Sequence, residues 1–441
     1  MKNKKKLALV SMITATALSI LSGCGSSGSN GGNEGSEANN SDQVHLKMAW
    51  WGSQARHDAT VKVIELYEDQ NPNVDIEYEF YDYDGYYTKL GTLAASESIW
   101  DIVQLDNQFP QYINQLEPLD EFVDNKIIDV SNTNEKYLST TTYDNKLVGI
   151  SNGVNSFALA YNKTLLDEAG IEEPTDDWTY EEFEKMNAEI KNKLDIYGVS
   201  RMDDFIHGAI MYVPQTEKGL NFYDKSNLST TLGFDDPNIL APYFEMRKNM
   251  VDNGSYPELG GIDTNTDSAF QAIRDRKAAM VFIASNQLVE LMKGMPEDQE
   301  IKLINPPRIT KDGEAGIPLR SSQMLSISKN SKNKEEAAKF INFFQNDEEA
   351  NKILAGERGV PIMENIREML IKEGNPATLA TFEYLEKVSE LDNGEINVFD
   401  SSLNPEIQAQ YNLIKEKVIL GELTPNEGAQ SIFDFATDIL K

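Results

Sequence analysis

The sequence predicts an α/β fold with two lobes, and two observations lead to that prediction. Between Val44 and Phe80 the pattern runs strand, helix, strand, because apolar residues alternate in the outer segments and recur at helical spacing in the middle one. Such a βαβ unit favours a parallel sheet with a right-handed crossover. The chain from Val44 to Lys441 is also longer than a single hydrophobic core usually holds, so we expect two lobes.

The opening region supplies the first elements in order. Its predicted elements are a strand over 44–50, a helix over 58–70 that stops at Asn71-Pro72, a strand over 74–80, a helix over 87–96 and a strand over 101–105. On the second of these strands, we expect Tyr78 and Phe80 to point into the core.

The rest of the chain is richer in helix. Thr179-x-x-Glu182 has the spacing of a capping box and Asn333-x-x-Glu336 a similar one, so both predict the start of a helix. Ala278 to Ile283 predicts a short buried strand, and Gln323 to Ser328 predicts another. Amphipathic helices with loops are expected in the C-terminal region.

Residues 1–23 have the features of an export signal. Lysines at its start precede an apolar run that is shorter than the roughly 20 residues needed to cross a bilayer. The run ends on Leu21-Ser22-Gly23-Cys24, which resembles the lipobox of bacterial lipoproteins, whose cysteine receives diacylglycerol. Residues 24–43 hold almost only Gly, Ser, Asn and acidic residues, which predicts a disordered tether. We therefore expect lipid anchoring at Cys24 to the outer face of a bacterial cell membrane.

The charge balance excludes one class of partner. The formal net charge is −32, and no basic run follows the signal, so the chain lacks the basic face that nucleic acid binding requires. Cys24 is the only cysteine, so no disulfide is available within the chain.

A search for catalytic motifs is negative. The three histidines, His45, His57 and His207, fall in no HExxH motif, and no GxSxG, P-loop or GxGxxG sequence occurs. Asp263-x-Asn265-x-Asp267 begins like a calcium loop, but Ser268 and Arg274 replace its glycine and glutamate. We expect no enzyme activity, no cofactor and no metal site. A carboxylate pair for glycoside hydrolysis stays open, because spacing in the folded chain defines it.

Aromatic and amide side chains crowd the loops where a ligand would bind. In open α/β sheets, ligands bind beyond the carboxyl ends of strands, which here are the segments 51–57 and 106–109. Sugars stack on aromatic rings and need both donors and acceptors for their hydroxyls. We expect ligand contact from Trp51 and from Tyr83 or Tyr86, which are predicted to lie in loops. For Trp50, core and ligand contact are equally open.

A set of short motifs gives a resemblance to a known family. They are Gly149-Ile150 to Ala160-Tyr161-Asn162-Lys163, Ala169-Gly170-Ile171 to Pro174, Trp178-Thr179-Tyr180-Glu181-Glu182, Phe270 through Arg276-Lys277-Ala278-Ala279-Met280, Ser331 to Phe340, and Gly359-Val360-Pro361. Over nearly the whole mature chain the sequence resembles extracellular solute-binding proteins of family 1, the carbohydrate-binding subunits of ATP-binding-cassette (ABC) importers. Asp275-Arg276 departs from the glycine–lysine pair common in that family, which should alter a turn and not the fold.

A closer likeness is to lipoproteins thought to bind pectic oligosaccharides, including rhamnogalacturonan fragments. It rests on Ala49-Trp50-Trp51-Gly52 with Arg56-His57-Asp58, and on Phe340 to Phe344 with Gly356 to Pro361. An acidic sugar needs a cationic partner, for which Arg56, Arg320 and Arg358 are candidates.

The resemblance implies a two-lobed, periplasmic-binding-protein-like fold of type II, with a hinge and a central ligand cleft. By analogy the N-lobe takes residues 44–154 and 300–350, and the C-lobe takes 155–299 and 351–441. The implied hinge segments are 152–156 and 307–320. The ligand-binding residues expected on this basis are Trp51, Gln54, Arg56, His57, Asp106, Asn107, Asn155, Ser285, Asn286 and Arg320, with Tyr83 and Tyr86 as a lid.

The function implied is capture of an oligosaccharide by closure of the lobes, followed by delivery to the ABC permease. A ligand that contacts both lobes only in the closed form shifts the population towards it. We expect a monomer. The alternatives left open are a secreted lipoprotein enzyme acting on polysaccharide, a structural or adhesive surface lipoprotein, and an importer subunit for peptides or polyamines.

Overall fold

Two β-sheets form the centre of the computed structural model, which describes residues 43–224, 230–262, 265–374, 376–391, 393, 401 and 403–440. The predicted signal, the tether up to residue 42 and Cys24 lie outside these residues. The strands are β1 Val44–Trp51, β2 Val74–Tyr81, β3 Ile102–Leu105, β4 Thr142–Tyr143, β5 Lys146–Leu147, β6 Ile150–Asn155, β7 Phe157–Asn162, β8 Tyr197–Val199, β9 Asn221–Tyr223, β10 Leu232–Gly233, β11 Ala278–Ala284, β12 Ile301–Ile304 and β13 Arg320–Ile327.

Helices flank these sheets, and after Ile327 the described residues form helices but no further strand of either sheet. They are α1 Gln54–Gln70, α2 Tyr83–Ala95, α3 Asp120–Asp124, α4 Glu135–Ser139, α5 Lys163–Ala169, α6 Tyr180–Leu194, α7 Tyr212–Thr216, α8 Ala241–Asp252, α9 Thr266–Arg274, α10 Leu288–Met292, α11 Lys334–Asn346, α12 Glu348–Leu354, α13 Glu364–Glu373, α14 Pro376–Glu390, α15 Asn404–Ile419 and α16 Pro425–Ile439. Short 3₁₀ turns cover Phe109–Gln115, Pro237–Leu240 and Ser285–Gln287, and a π-helical turn covers Ile206–Ile210. Among these described helices, none is both long and apolar enough to span a membrane.

The first sheet has the strand order β2-β1-β3-β13-β6. Strand β1 pairs in parallel with β2 and β3, which confirms the predicted βαβ opening. Strand β13 comes from much later in the chain and pairs antiparallel with both β3 and β6. The alternation of the sequence explains the two faces: Leu46 and Met48 of β1 pack under α1, whereas Ala49 faces a cluster that includes α2.

The second sheet has the order β12-β7-β11-β8. Strands β8 and β11 run parallel, and β7 is antiparallel to both β11 and β12. Because Ile301–Ile304 pairs with β7, the segment that begins at residue 300 gives its strand to the second sheet, although the sequence analysis placed it in the N-lobe. Register with a strand so distant in sequence is not visible in a local pattern.

Two chain segments pass between the sheets. Ser156 alone separates β6 of the first sheet from β7 of the second, and residues 305–319 connect β12 to β13. The hinges predicted at 152–156 and 307–320 fall on these segments, and their action as hinges stays a prediction. Helix α12, predicted in the C-lobe from residue 351, instead contacts α1 beside the first sheet.

Local capping explains where the helices begin. Ser53 accepts a hydrogen bond from the backbone N–H of Arg56, so α1 begins four residues earlier than predicted, at Gln54. Asp82 caps α2 in the same way, so that helix begins at Tyr83 and not at Tyr87. The Thr179 capping box is confirmed. The helix start predicted at Asn333 is confirmed, since α11 begins at Lys334, but the Asn333 side chain makes no capping bond and its amide donates to the carbonyl of His45.

Candidate ligand-binding site

The edges of the two sheets that adjoin the hinge form the candidate site. In the first sheet this edge is made by the ends of β1, β3 and β6 and by the start of β13. In the second sheet it is made by the start of β7 and the ends of β8 and β11. Loops at such carboxyl ends are the usual place for ligands in open α/β sheets.

The connection between the two sheets is fixed by a pair of serines. The backbone N–H of Ser285 donates to the Ser156 carbonyl at 2.8 Å, and the Ser156 N–H donates to the Ser285 hydroxyl at 3.2 Å. The Ser156 hydroxyl donates to the carbonyl of Pro318 in the second connecting segment at 2.9 Å. Ser285, predicted as a ligand contact, is therefore fully buried in hinge bonding, whereas its neighbour Asn286 is exposed.

An aromatic cluster underlies the first-sheet half of the site. Trp51, predicted in a loop, is the last residue of β1 and is buried. Its ring centroid lies 5.5 Å from that of Tyr83, 5.1 Å from Tyr86 and 5.4 Å from Tyr87. Packing against α2 explains its burial, so the expected loop position of Trp51 is wrong.

The two tyrosines predicted as a lid have different environments. Tyr86 is completely buried, and its hydroxyl donates to the Gln104 carbonyl at 2.7 Å. Burial raises the pKa of Tyr86 well above its ordinary value. A lid role for Tyr86 is wrong, because it lies on the inner face of α2. Tyr83, one turn earlier, is 41% exposed.

A hydrogen-bonded group around Asp106 presents polar atoms at the end of β3. The carboxylate of Asp106 accepts from the Tyr83 and Tyr87 hydroxyls, each at 2.7 Å, and from the backbone N–H of Gln108. The Gln108 side-chain amide donates to the Tyr83 hydroxyl at 2.6 Å. Asn107, which is half-buried, lies between them in sequence. These contacts hold the exposed Tyr83 ring in one position.

Arg56 is held by an acid from a distant loop. Its Nε lies 2.7 Å from Glu357 Oε2 and its Nη2 lies 3.1 Å from Oε1, so both carboxylate oxygens are used. The adjacent Gln54 is exposed and donates to Asp58 on the same helix. Arg56 is thus at the predicted edge, but its charge is already balanced by the protein.

His57 is part of a second aromatic group at the edge strand β2. Its Nδ1 accepts from Trp50 Nε1 at 3.1 Å, and its ring stacks on Phe80 with 4.2 Å between centroids. Burial is the main cause that lowers the pKa of His57, and Arg56 and Arg358 add to it. Trp50 is fully buried.

The expectation that Tyr78 and Phe80 fill the core is wrong. They are 39% and 42% exposed, because β2 is the outermost strand of the first sheet. Trp50 and His57 cover one side of the pair, and the other side faces solvent.

Arg358 lies beneath this half of the site and is buried. Its guanidinium donates to Gln104 Oε1, to Gln323 Oε1 at 3.1 Å and to the Thr60 hydroxyl at 2.7 Å. Its Nε has no hydrogen-bond partner among the described residues. Arg358 was a candidate to bind an acidic sugar, but buried among β3, β13 and α1 it supports the sheet and does not reach a ligand.

Asn155 and Arg320 meet at the hinge as a register pair of β6 and β13. The guanidinium carbon of Arg320 lies 5.9 Å from the ring centroid of Phe157, the first residue of β7. The side-chain oxygen of Asn155 is buried and makes no hydrogen bond within the described part of the chain. Both predicted residues therefore lie where the sheets join.

The second-sheet half carries a polar cavity that the sequence analysis did not predict. Its volume is about 360 Å³, and it begins just beyond the carboxyl end of β8. Polar side chains from the segment after β8 and from α15 line it, namely Arg201, Asp203, Gln408, Asn412, Lys415 and Glu416.

Below this cavity an ionic cluster is buried. Asp204 binds Arg247 through both oxygens and accepts from Lys415 Nζ at 3.1 Å. Burial by itself raises the pKa of Asp204, but the two cations more than offset this and hold it below its ordinary range.

The described residues contain no group of three or more His, Cys, Asp or Glu side chains that could hold a metal ion. The calcium-like motif is only partly described, since Asp263 lies outside those residues. Asn265 accepts from the backbone N–H of Ser268 and caps α9, so it has a structural role.

A family model for bacterial extracellular solute-binding proteins matches residues 51–351, which is more than half of the chain. The chain belongs to this family. The match covers most of both sheets and the segments between them.

Several solved structures have a fold similar to that of this solute-binding protein. An extracellular solute-binding protein of family 1 from Alicyclobacillus acidocaldarius has a TM-score of 0.77 at 23% identity, covering 90% of this chain and 98% of that one. A periplasmic oligogalacturonide-binding protein from Yersinia enterocolitica has a TM-score of 0.76 at 23% identity, covering 90% and 99%. A substrate-binding protein of an ABC system from Listeria monocytogenes, in complex with cycloalternan, has a TM-score of 0.66 at 22% identity, covering 90% and 99%.

The residues that line the polar cavity could not be predicted from strand ends, because the short strand β8 is not among the predicted strands. Arg201 and Asp203 follow β8 just as Asp106 follows β3, but this position is apparent only once β8 is known. Gln408, Asn412 and Lys415 recur at helical spacing on α15, but only the fold brings that helix beside β8.

Proposed function

We propose that this solute-binding protein captures an oligosaccharide between its two lobes and delivers it to the permease of an ABC importer. The observation that carries the proposal is the exposed Tyr83 ring, fixed by Asp106 and Gln108 at the carboxyl end of β3. A fixed aromatic face beside hydrogen-bonding groups suits the apolar face and the hydroxyls of a sugar. The structural relatives whose titles name oligogalacturonide and cycloalternan support the same ligand class.

The division into lobes adds a mechanism to this proposal. The N-lobe carries the first sheet, the C-lobe carries the second, and residues 152–156 and 307–320 act as the hinge. Ligand that contacts Tyr83 on one side and the cavity after β8 on the other favours closure, because both contacts exist only in the closed form. X-ray scattering should then show a smaller radius of gyration with ligand than without it.

The direct test is thermal denaturation of the purified full chain against a panel of oligosaccharides. Pectic, xylan, starch, mannan and fructan fragments are compared with peptides, amino acids and polyamines. A ligand of the folded state adds about 2.7 kcal/mol of stability at a hundredfold excess over its Kd. A shift with one glycan class and recovery of intact glycan are expected. A shift with peptides or polyamines alone, or recovery of cleaved glycan, contradicts the proposal.

Two tyrosine variants localise the binding. Tyr83→Ala should weaken the binding of that glycan about tenfold, because stacking of a sugar face on one aromatic ring is worth on the order of 1 kcal/mol or more. Tyr78→Ala is the matched control, since Tyr78 is exposed to a similar extent but lies on the outer strand away from Asp106. Equal effects of the two variants would contradict the proposed site.

Membrane attachment is a second part of the proposal. We expect diacylglycerol on Cys24, with the body monomeric and held at the outer face of the cell membrane. Mass spectrometry of the N-terminal peptide tests the lipid. Cys24→Ser should release the protein into the medium, and retention of that variant at the membrane would contradict the anchor.

A further inference from the structure

The arginines of this protein differ in whether their side chains contact other residues of the chain. The sequence contains nine arginines, all within the described residues. Eight of them have a hydrogen bond, an ion pair or a ring contact through the side chain. The ninth, Arg201, makes no such contact with any described residue, and its side chain lines the cavity after β8.

We infer that Arg201 binds a carboxylate of the ligand, so the oligosaccharide captured here contains an acidic sugar. The inference rests on the proposed function and narrows its substrate class. A guanidinium offers parallel N–H donors whose geometry matches the two oxygens of a carboxylate. In a chain with 72 acidic and 40 basic residues, an arginine whose side chain has no hydrogen bond, ion pair or ring contact with another described residue stands out.

The buried acid next to Arg201 is already paired with other cations. Asp204 is shared by Arg247 and Lys415, so it is not the partner of Arg201. Of the two other acids that line the cavity, Asp203 accepts from the backbone N–H of Ile206 and is thereby held in the turn. Glu416 lies on α15, one residue after Lys415.

Two arginines of the opposite half, Arg56 and Arg358, cannot serve an acidic sugar in the same way. Arg56 donates to Glu357 through Nε and Nη2, and Arg358 is buried among amides and a hydroxyl. A carboxylate placed against Arg56 would have to displace an acid of the protein. At Arg201, by contrast, an acidic unit meets a guanidinium that no acid among the described residues occupies.

The test compares ligands that differ only in charge. Titration calorimetry of the full chain would use trimers of galacturonate, glucuronate and mannuronate, each as the free acid and as its methyl ester. At least one free acid should bind, and its methyl ester should bind at least about tenfold more weakly. Added salt should weaken the binding of the acid more than the binding of the ester.

Three variants assign the effect to Arg201. Arg201→Gln should reduce acid binding to the level of the ester and leave the ester unchanged, and Arg201→Lys should fall between, since it keeps the charge but loses the planar pair of donors. Arg276→Gln is the control, because Arg276 pairs with Glu168 before the start of β11, at the opposite end of the second sheet.

The outcomes separate this inference from the proposed function. Equal binding of acid and ester, binding of neutral oligosaccharides alone, or acid binding that Arg201→Gln does not change would overturn the role of Arg201 and leave oligosaccharide capture intact. Absence of binding by every glycan of the wider panel would overturn both.

Discussion

Two of the buried arginines, Arg247 beside the second sheet and Arg358 beside the first, are accommodated in opposite ways. Arg247, on α8, binds the carboxylate of Asp204 and lies over the Tyr256 ring at 3.8 Å. Arg358, in the loop after α12, binds two glutamine side chains and a threonine hydroxyl, all of them neutral. The first charge is balanced by an opposite charge, whereas the second is balanced only by dipoles.

The pKa values of the two arginines reflect this difference. Burial lowers the pKa of both groups, but Asp204 reverses the effect for Arg247 and raises its pKa above the ordinary value. For Arg358, burial dominates and nearby Arg56 adds to it, so its pKa falls, although the guanidinium stays protonated at neutral pH. A buried cation that lacks an anion is a poor source of stability.

Arg358 has instead a role in shaping the site. Its carbonyl accepts from the side chains of Ser322 and Gln323, and Val360, two residues later, pairs with Val154 of β6. The same loop presents Glu357 to Arg56. The comparison indicates that Arg247 belongs to a buried ionic cluster, whereas Arg358 fixes the loop from which Glu357 balances the charge of Arg56.

The largest expected effect comes from removing the single anion of the Arg247 cluster. Asp204→Asn leaves two buried cations without a carboxylate and should cost about 3–5 kcal/mol in the free energy of unfolding by urea. Asp252→Asn, which breaks the exposed Lys248–Asp252 pair on the same helix, is the control and should cost about 0.5 kcal/mol or less. A similar small cost for both variants would show that the buried cluster does not carry stability.

Replacing Arg358 should have a smaller effect. Arg358→Met removes the uncompensated charge but leaves the side-chain oxygens of Gln104 and Gln323 without their donor, so we expect a loss of about 1–3 kcal/mol. Urea unfolding beside Asp204→Asn measures the difference. If Arg358→Met were the more damaging of the two, the contrast between the arginines would be reversed.

Changing Glu357 should affect specificity more than stability. Its pair with Arg56 is partly solvent-exposed, so Glu357→Gln should cost less than about 1 kcal/mol. The variant frees the Arg56 guanidinium, and binding of an acidic trimer should strengthen severalfold while its methyl ester is unaffected. Glu349→Gln, from the surface pair with Lys352, serves as control. Unchanged acid binding would mean that Arg56 does not face the ligand.

The smallest expected effect is on the pH dependence of stability. It involves the two buried histidines, His57 beside the first sheet and His207 beside the second. Burial is the largest cause that lowers both pKa values, so the unfolded chain takes up protons at these positions more readily than the folded one. Their contribution to stability is therefore complete above about pH 6.5 and declines as the pH falls below it.

Urea midpoints at pH 7 and pH 5.5 test this sign. His57→Phe should lose less stability than the natural chain over that interval, because one of the two titrating groups is gone. His45→Gln should behave as the natural chain does, since His45 is exposed and pairs with Asp75. A larger loss of stability in His57→Phe than in the natural chain would contradict a lowered pKa of His57 in the folded protein.

Most of the first sheet could be predicted from the sequence, because its strands have local patterns. Alternation in β1 and β2 and the apolar run in β3 need no tertiary information, and the same holds for the capping box at Thr179. The side of β2 that stays exposed could not be predicted, because Tyr78 and Phe80 are left uncovered only by the position of β2 at the sheet edge.

The candidate site was less predictable, because its charges are balanced by distant residues. Arg56 and Glu357 are separated by 301 positions in sequence, and no local pattern joins them. Tyr86 and Tyr83 are less than one helical turn apart, yet Tyr86 is buried and Tyr83 is exposed, and both lie in the first turn of α2, which begins at Tyr83 after the Asp82 cap. The sequence predicts that segments 51–57 and 106–109 lie at strand ends, as they do, but not the direction of each side chain.

The strand order of the first sheet has a consequence for a chain that emerges from its N-terminal end onwards and folds as it does so. Strand β13 lies between β3 and β6, and β6 has no other strand neighbour in that sheet. Every strand of the second sheet precedes β13 in the chain, so the sheet that begins to emerge first is the last to be completed. Until Arg320–Ile327 has emerged, β3 and β6 each keep an open edge, where an incomplete chain is most exposed to wrong pairing.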